Sequence, residues 1–248
     1  MQENLLLTVL KESKYTTVLS GFGMLLENGY PAIRDGEESY EIEQKYGYST
    51  EEMFSSAFYS TRKEQFFEFY RNELLSSLEK PPGAGFLAMA ELERRGIFQS
   101  IITRRIFGLS ERAGCKNVIN LHGSVYDNYC PHCGRAYSME YVRDTGRVPL
   151  CEKCNTPIRP KICLFGEMVD NRVITRAAEE IQKADVLLIL GTNLRSYLCT
   201  QLVNYYEGDK LVLVNPKPHF SNKAADIFIN ARVDDTLQKV IKELGEES

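Results

Sequence analysis

The apolar residues change period several times along this chain. In residues 2–14, Leu5, Leu6, Val9 and Leu10 gather on one side of a 3.6-residue repeat while Glu3, Lys11 and Glu12 lie elsewhere, which predicts an amphipathic helix. The β-branched stretch Thr16-Thr17-Val18-Leu19-Ser20 then reads as a strand running into Gly21-Phe22-Gly23. Ile101-Ile102-Thr103 and Val118-Ile119-Asn120 are two more short runs of this kind, each ending in polar or glycine-rich sequence. Residues 185–190 and 211–215 are almost continuously apolar, as central parallel strands buried on both faces are, and Ile227-Phe228-Ile229 is a third such strand. Helical spacing predicts helices over residues 50–58, 62–78, 86–94, 172–183 and 234–244. Pro81-Pro82-Gly83 separates the second of these from the third. Residues 36–48 are polar and Glu-rich and predict a loop.

Strands alternating with helices across short connections predict an α/β fold with a doubly wound parallel sheet. In such sheets side chains are delivered to a crevice at the carboxyl ends of the strands, which puts His122 there. A strand, glycine turn and helix at residues 16–25 is also the layout that sets backbone N–H groups against a pyrophosphate, although G-x-G alone is a weak signal. Phe66, Phe67, Phe69 and Tyr70 could form a stacking surface for bases. At helical spacing without interleaved basic residues they are better assigned to a core.

Composition narrows the classes. A chain of 248 residues with 43% hydrophobic and 26% charged residues can bury a sizeable core. Its net charge of −4 gives no electrostatic case for nucleic acid or an anionic membrane. No apolar run approaches the roughly 18 residues of a membrane span, and no secretory leader is expected, so a cytoplasmic setting is the expectation.

Four of the seven cysteines form two knuckles, Cys130-Pro131-His132-Cys133 and Cys151-Glu152-Lys153-Cys154. In a reducing compartment this spacing predicts zinc ligands rather than disulfides. His132 could replace a cysteine, but four thiolates already close the site, so the metal is expected to be structural. A hairpin at 137–142 with a turn at 144–146 would join the knuckles as a zinc ribbon. Cys115, Cys163 and Cys199 read as small buried hydrophobes, with a reactive Cys163 as the alternative.

The order Ile101-Thr103 with Gly108-Leu109, Asn117-Val118 through Leu121-His122-Gly123-Ser124, the two knuckles, Phe165-Gly166-Glu167, Gly191-Thr192 and Leu211–Asn215 resembles the sirtuins, the NAD-dependent protein-lysine deacylases, in register from about residue 15 to the end. The resemblance implies a Rossmann-like nucleotide-binding domain (residues 1–35, 81–125 and 161–248). It also implies a smaller domain with a helical part carrying a cofactor loop (36–80) and a zinc-ribbon insert (126–160). It implies His122 as the base, Gly21, Phe22, Gly23, Arg34, Thr103, Arg104, Arg105, Phe107, Gly191, Thr192, Asn193 and Asn215 against NAD or an ADP-ribose-like nucleotide, and Cys130, Cys133, Cys151 and Cys154 around structural zinc. Phe165, Gly166, Glu167 and Met168 would meet an acylated lysine of a protein substrate; the oligomeric state is left open.

The sequence departs from the family in one pocket. Where the family reads GAGxS and TQNID, this chain has Gly21-Phe22-Gly23-Met24-Leu25 and Thr103-Arg104-Arg105-Ile106-Phe107. Ala32 and Ile33, Asn193 and Leu198 replace an acidic, an aromatic, a serine and a proline position. Phe107 offers a carboxamide no hydrogen bond, and the Arg105 guanidinium repels a pyridinium while suiting phosphate or carboxylate. Tyr40 and Glu43 carry the wrong charge for a dicarboxylic acyl group, whereas Phe165 and Met168 suit an uncharged one. Three functions remain: a lysine deacylase, a non-catalytic module binding ADP-ribose or another nucleotide or an acylated tail, and an NAD-consuming ADP-ribosyltransferase or glycohydrolase.

Overall fold

The computed structural model of this chain describes residues 2–30 and 37–246. Nine strands are present among them: β1 Thr16–Ser20, β2 Phe98–Thr103, β3 Val118–Asn120, β4 Gly123–Tyr129, β5 Ala136–Tyr137, β6 Arg159–Ile162, β7 Val186–Leu190, β8 Lys210–Val214 and β9 Ile227–Ile229. Six of them form one sheet in the order β3-β2-β1-β7-β8-β9, with all five pairings parallel. Every residue of β1 and β7 is buried; β7 is an unbroken apolar run, while β1 carries Thr16, Thr17 and Ser20 inside as well.

Helices cover both faces. Val18, Leu188 and Val212 pack with Leu6, Met89 and Leu237 of helices Gln2–Glu12, Ala84–Arg94 and Val233–Glu246. On the opposite face Leu19, Ile189 and Leu213 pack with Ala177, Ile181 and Leu202 of helices Asn171–Gln182 and Tyr197–Leu202. Burying a leucine or isoleucine such as Leu188 or Ile189 contributes roughly 1.5–3 kcal/mol, so this double-sided core anchors the sheet. The strand order reverses direction between β1 and β7, which fixes the switch point of the fold there.

Between β3 and β7 the chain leaves the large sheet and builds a second, antiparallel one in the order β5-β4-β6. One hydrophobic cluster joins it to the helical segment: Phe58, Phe66, Phe69 and Tyr70 pack with Val125, Val142, Ile158 and Leu164. The aromatic run at 66–70 is therefore core, each of its four aromatic rings 0% exposed.

Several elements differ from the sequence expectation. Residues 37–46 are helical (Glu37–Tyr46) instead of looped; among residues 39–46, whose side chains are described, Ile42 alone is buried, so the apolar stripe that betrays a helix is missing. The helix expected at 50–58 is two, Thr50–Met53 and Ser56–Thr61, because Ser55 caps a new start by accepting from Phe58 N–H at 3.1 Å. The helix at 62–78 is α-helical over Lys63–Phe69 and then continues as a wide turn over Tyr70–Leu74 and a tight 3₁₀ turn over Leu75–Glu79. The hairpin at 137–142 is replaced by β5 and helix Met139–Asp144, which Ser138 starts by accepting from Tyr141 N–H at 3.2 Å. No helix among the described residues is long and apolar enough to cross a membrane.

Candidate active site and metal centre

The two knuckles repeat one backbone device. Cys130 and Cys151 each accept, through their carbonyls, the N–H four residues on, Gly134 at 2.9 Å and Asn155 at 2.8 Å. Both of those residues are left-handed, φ 74° and 59°, and Asn155 is the non-glycine residue with positive φ among the described residues. The turns bring the four Sγ atoms within 4.8 Å of one another, with Cys130–Cys154 at 3.4 Å and Cys133–Cys151 at 3.6 Å. Tetrahedral zinc with Zn–S bonds of about 2.3 Å needs sulfurs about 3.8 Å apart, so the donor set fits. The Tyr137 hydroxyl donates to Cys151 Sγ at 3.1 Å and draws that thiol down to about 6. Four thiolates leave no position for a substrate.

The other three cysteines are not activated. Burial pushes Cys115 to about 12 and Cys199 to about 11. Cys163 is half-buried rather than buried; burial and then Glu167 raise its pKa, which disfavours a reactive thiolate.

Gly21, Arg104, His122 and Gly191 follow the carboxyl ends of β1, β2, β3 and β7. Gly21 N–H donates to Leu190 O at 2.8 Å and Gly23 N–H to Gly191 O at 2.7 Å. A Cβ on Gly21 would fall 2.5 Å from Thr192 Cβ, and one on Gly23 would fall 2.7 Å from Gly191 O, so this close approach admits glycine alone. Asn193 and Asn215 stabilise their own loops: Asn193 Oδ1 accepts from Arg195 N–H at 2.9 Å, and Asn215 Nδ2 donates to Lys217 O at 3.1 Å. Arg34, with Pro31, Ala32 and Ile33, lies outside the described residues.

At the end of β2, Thr103 Oγ1 accepts the Arg105 N–H at 3.0 Å and turns the chain outward. The two arginines part there. Arg105 lays its guanidinium 4.9 Å from the centroid of the Phe22 ring, whereas Arg104 lies 4.6 Å over Tyr197 and donates from Nε to His122 Nε2 at 3.3 Å. Phe107 packs on Tyr30, ring centroids 4.9 Å apart, and the Tyr30 hydroxyl accepts from Arg112 at 3.3 Å.

His122 lies two residues beyond β3 and immediately before β4. Its carbonyl accepts the Cys163 N–H at 2.9 Å, and the next residue, Gly123, has φ 73° with room for no side chain, since a Cβ would sit 1.9 Å from Lys161 O. That link ties His122 to the loop holding Phe165–Met168. Phe165 is held by its backbone, N–H to Phe54 O at 3.0 Å and O from Ser56 N–H at 2.9 Å, while Met168 is 87% exposed. Glu167 is exposed but tied back to its own module. Both its oxygens meet Arg159 Nη2 at 2.6 Å, and one accepts Leu164 N–H at 2.9 Å.

Direct contacts thus join Phe22 to Arg105, and Arg104 to His122 and Tyr197. Arg159 and Tyr197 escape a sequence reading, because a basic residue in a strand and an aromatic at a helix start carry no spacing signal of their own.

The fold and site define a Rossmann-type α/β protein carrying a four-cysteine metal module. The family model for the Sir2 family matches residues 21–197, and the chain belongs to that family. It is similar to the NAD-dependent protein deacetylase of Clostridium acetobutylicum, 34% identical over 239 residues, which are 96% of this chain and 97% of that one. Among solved structures it resembles one described as the structural basis of sirtuin substrate affinity, with TM-score 0.87 and 31% identity over 98% of this chain and 99% of that one. It also resembles Sir2 with a p53 peptide and NAD+, with TM-score 0.83 and 30% identity over 99% and 100% of the two chains.

Proposed function

We propose that this Sir2-family chain is a protein-lysine deacylase that consumes NAD as a substrate and passes the acyl group to its ADP-ribose part. The observation that carries the reading is the placement of His122 at the carboxyl edge of β3, its backbone tied to Cys163 and through it to the loop bearing Phe165–Met168. Gly21, Gly23, Thr192, Asn193 and Asn215 are assigned to the nucleotide side and Phe165–Met168 to the acyl-lysine side. The acyl oxygen bonds to the anomeric carbon, and the bond to the pyridine nitrogen breaks with its electron pair leaving on nicotinamide. His122 then accepts a proton from a ribose hydroxyl, a task suited to imidazole; that oxygen bonds to the acyl carbon, water adds, and the carbon–nitrogen bond breaks with lysine leaving as the amine. Zinc held by Cys130, Cys133, Cys151 and Cys154 is structural. The reading divides the chain into a nucleotide-binding domain (1–35, 81–125, 161–248) and a smaller one. The hydrophobic cluster shared by the helical part (36–80) and the zinc insert (126–160) supports treating those two as one body.

A second reading, nucleotide binding without turnover, is favoured by the Arg104–His122 contact, which occupies the imidazole Nε2, and by Phe107, which offers a carboxamide no partner. Mass spectrometry after incubation with NAD and an acetyl-lysine peptide separates the two. O-acetyl-ADP-ribose that disappears with His122→Ala supports the deacylase; its absence from folded, zinc-loaded protein, with ADP-ribose still bound, supports the binding module.

A further inference from the structure

We infer that Arg105, carried on the ring of Phe22, is the residue that binds the diphosphate of the nucleotide; the inference rests on the nucleotide reading above. A strand-turn-helix receives a pyrophosphate when its backbone N–H groups point at the ligand and a helix dipole stands behind them. Here two of the turn's N–H groups, those of Gly21 and Gly23, are engaged by Leu190 O and Gly191 O. The helix that follows, Phe22–Glu27, spans six residues, too few for an appreciable dipole. The turn is pressed so closely against Gly191 and Thr192 that nothing enters between them. A side chain above the turn would add charge compensation for the two phosphates that these two N–H groups do not supply.

Arg105 is placed for it. Its backbone is fixed by Thr103 Oγ1, and its guanidinium rests at 4.9 Å on the ring of Phe22, the first residue of the helix. A guanidinium stacked on an aromatic ring keeps its N–H fork in the plane, directed sideways, where it matches two phosphate oxygens at once. Arg104 is turned away to His122 and Tyr197. A phenylalanine in the middle of a glycine turn, and an arginine at the end of the neighbouring strand, are then one device: the ring is the platform and the guanidinium the anion clamp.

The test is calorimetric titration of the full-length, zinc-loaded protein with ADP-ribose and with adenosine, for the parent, Arg105→Ala, Arg105→Lys and Phe22→Leu, each checked for unchanged melting. Loss of a bidentate charged contact is expected to weaken ADP-ribose roughly tenfold or more in Arg105→Ala. Arg105→Lys should restore part of the loss, Phe22→Leu should lose less than Arg105→Ala, and Arg105→Ala should flatten the salt dependence of ADP-ribose binding while leaving any adenosine affinity unchanged. Arg105→Ala that binds ADP-ribose as tightly as the parent, or with the parent's salt dependence, overturns the assignment. Failure of the parent to bind ADP-ribose at all overturns the nucleotide reading beneath it.

Discussion

Replacing Arg159 with leucine should loosen the loop that carries Phe165–Met168. The guanidinium side chain is 11% exposed, lies 4.6 Å over the Tyr59 ring and gives Nη2 to both oxygens of Glu167 at 2.6 Å. Removing one partner of a buried pair costs about 3–5 kcal/mol. The Glu167 side chain is 34% exposed and keeps its bond from Leu164 N–H, so water relieves part of the loss, and about 2–3 kcal/mol is the expected cost. At about 2–4 °C per kcal/mol for a chain of this size, the melting temperature should fall by about 4–12 °C. The assay is thermal unfolding of zinc-loaded protein in a double-mutant cycle with Glu167→Gln, with a coupling energy of roughly 1–3 kcal/mol expected. In peptide kinetics, KM should rise more than kcat falls, because the tether orders a binding loop. A coupling below about 0.5 kcal/mol, the ordinary limit of additivity, would refute the argument that this pair holds the loop.

Cys151→Ser should abolish zinc binding by elemental analysis and melt the module around β4–β6, since metal binding to such sites contributes on the order of 10 kcal/mol of folding free energy. Two left-handed glycines should part company: Gly134→Ala, with nothing within 4 Å of its Cβ, should cost about 1–2 kcal/mol in chemical denaturation. Gly123→Ala should cost more or fail to fold, because its Cβ meets Lys161 O. At Asp185, burial raises the carboxyl pKa, but bonds from the Ser13 hydroxyl at 2.6 Å and from the N–H groups of Lys14 and Tyr15 at 2.7 and 3.0 Å outweigh it, and the net shift is downward. A carboxyl whose folded pKa is depressed stabilises above its unfolded value of about 3.9 and loses that contribution as pH falls through the folded one. The stability gap between parent and Asp185→Asn should therefore be full at neutral pH and shrink on acidification below about pH 4.

The strands of the large sheet are legible in the sequence because burial on both faces demands unbroken apolar runs, as Val186–Leu190 shows. The zinc knuckles are legible because ligand spacing is local. Residues 37–46 are not, since a helix whose described side chains include one buried residue, Ile42, has no periodic stripe to read. The helix after Ser138 has a local signal, a serine cap ahead of Met139 and Val142 three apart, but two apolar residues are too few to establish a period. The opposed directions of Arg104 and Arg105, and the pairing of Arg159 with Glu167, arise from tertiary placement and leave no mark on composition or period.

The pairing of β1 with β7 also governs how the molecule is made. Tyr15 and Asp185, which meet at the start of these strands, are 170 positions apart. Synthesis at about 5–20 residues per second leaves β1 without that neighbour for roughly 10–30 s. During this interval Val18 and Leu19, with β2 and β3 already available on one side, present an open apolar edge on the other, the geometry that invites pairing with a foreign strand. The local contacts of the metal module can form within that same interval. Nascent chains halted before residue 186 should therefore be protease-resistant around the knuckles and prone to aggregate through β1.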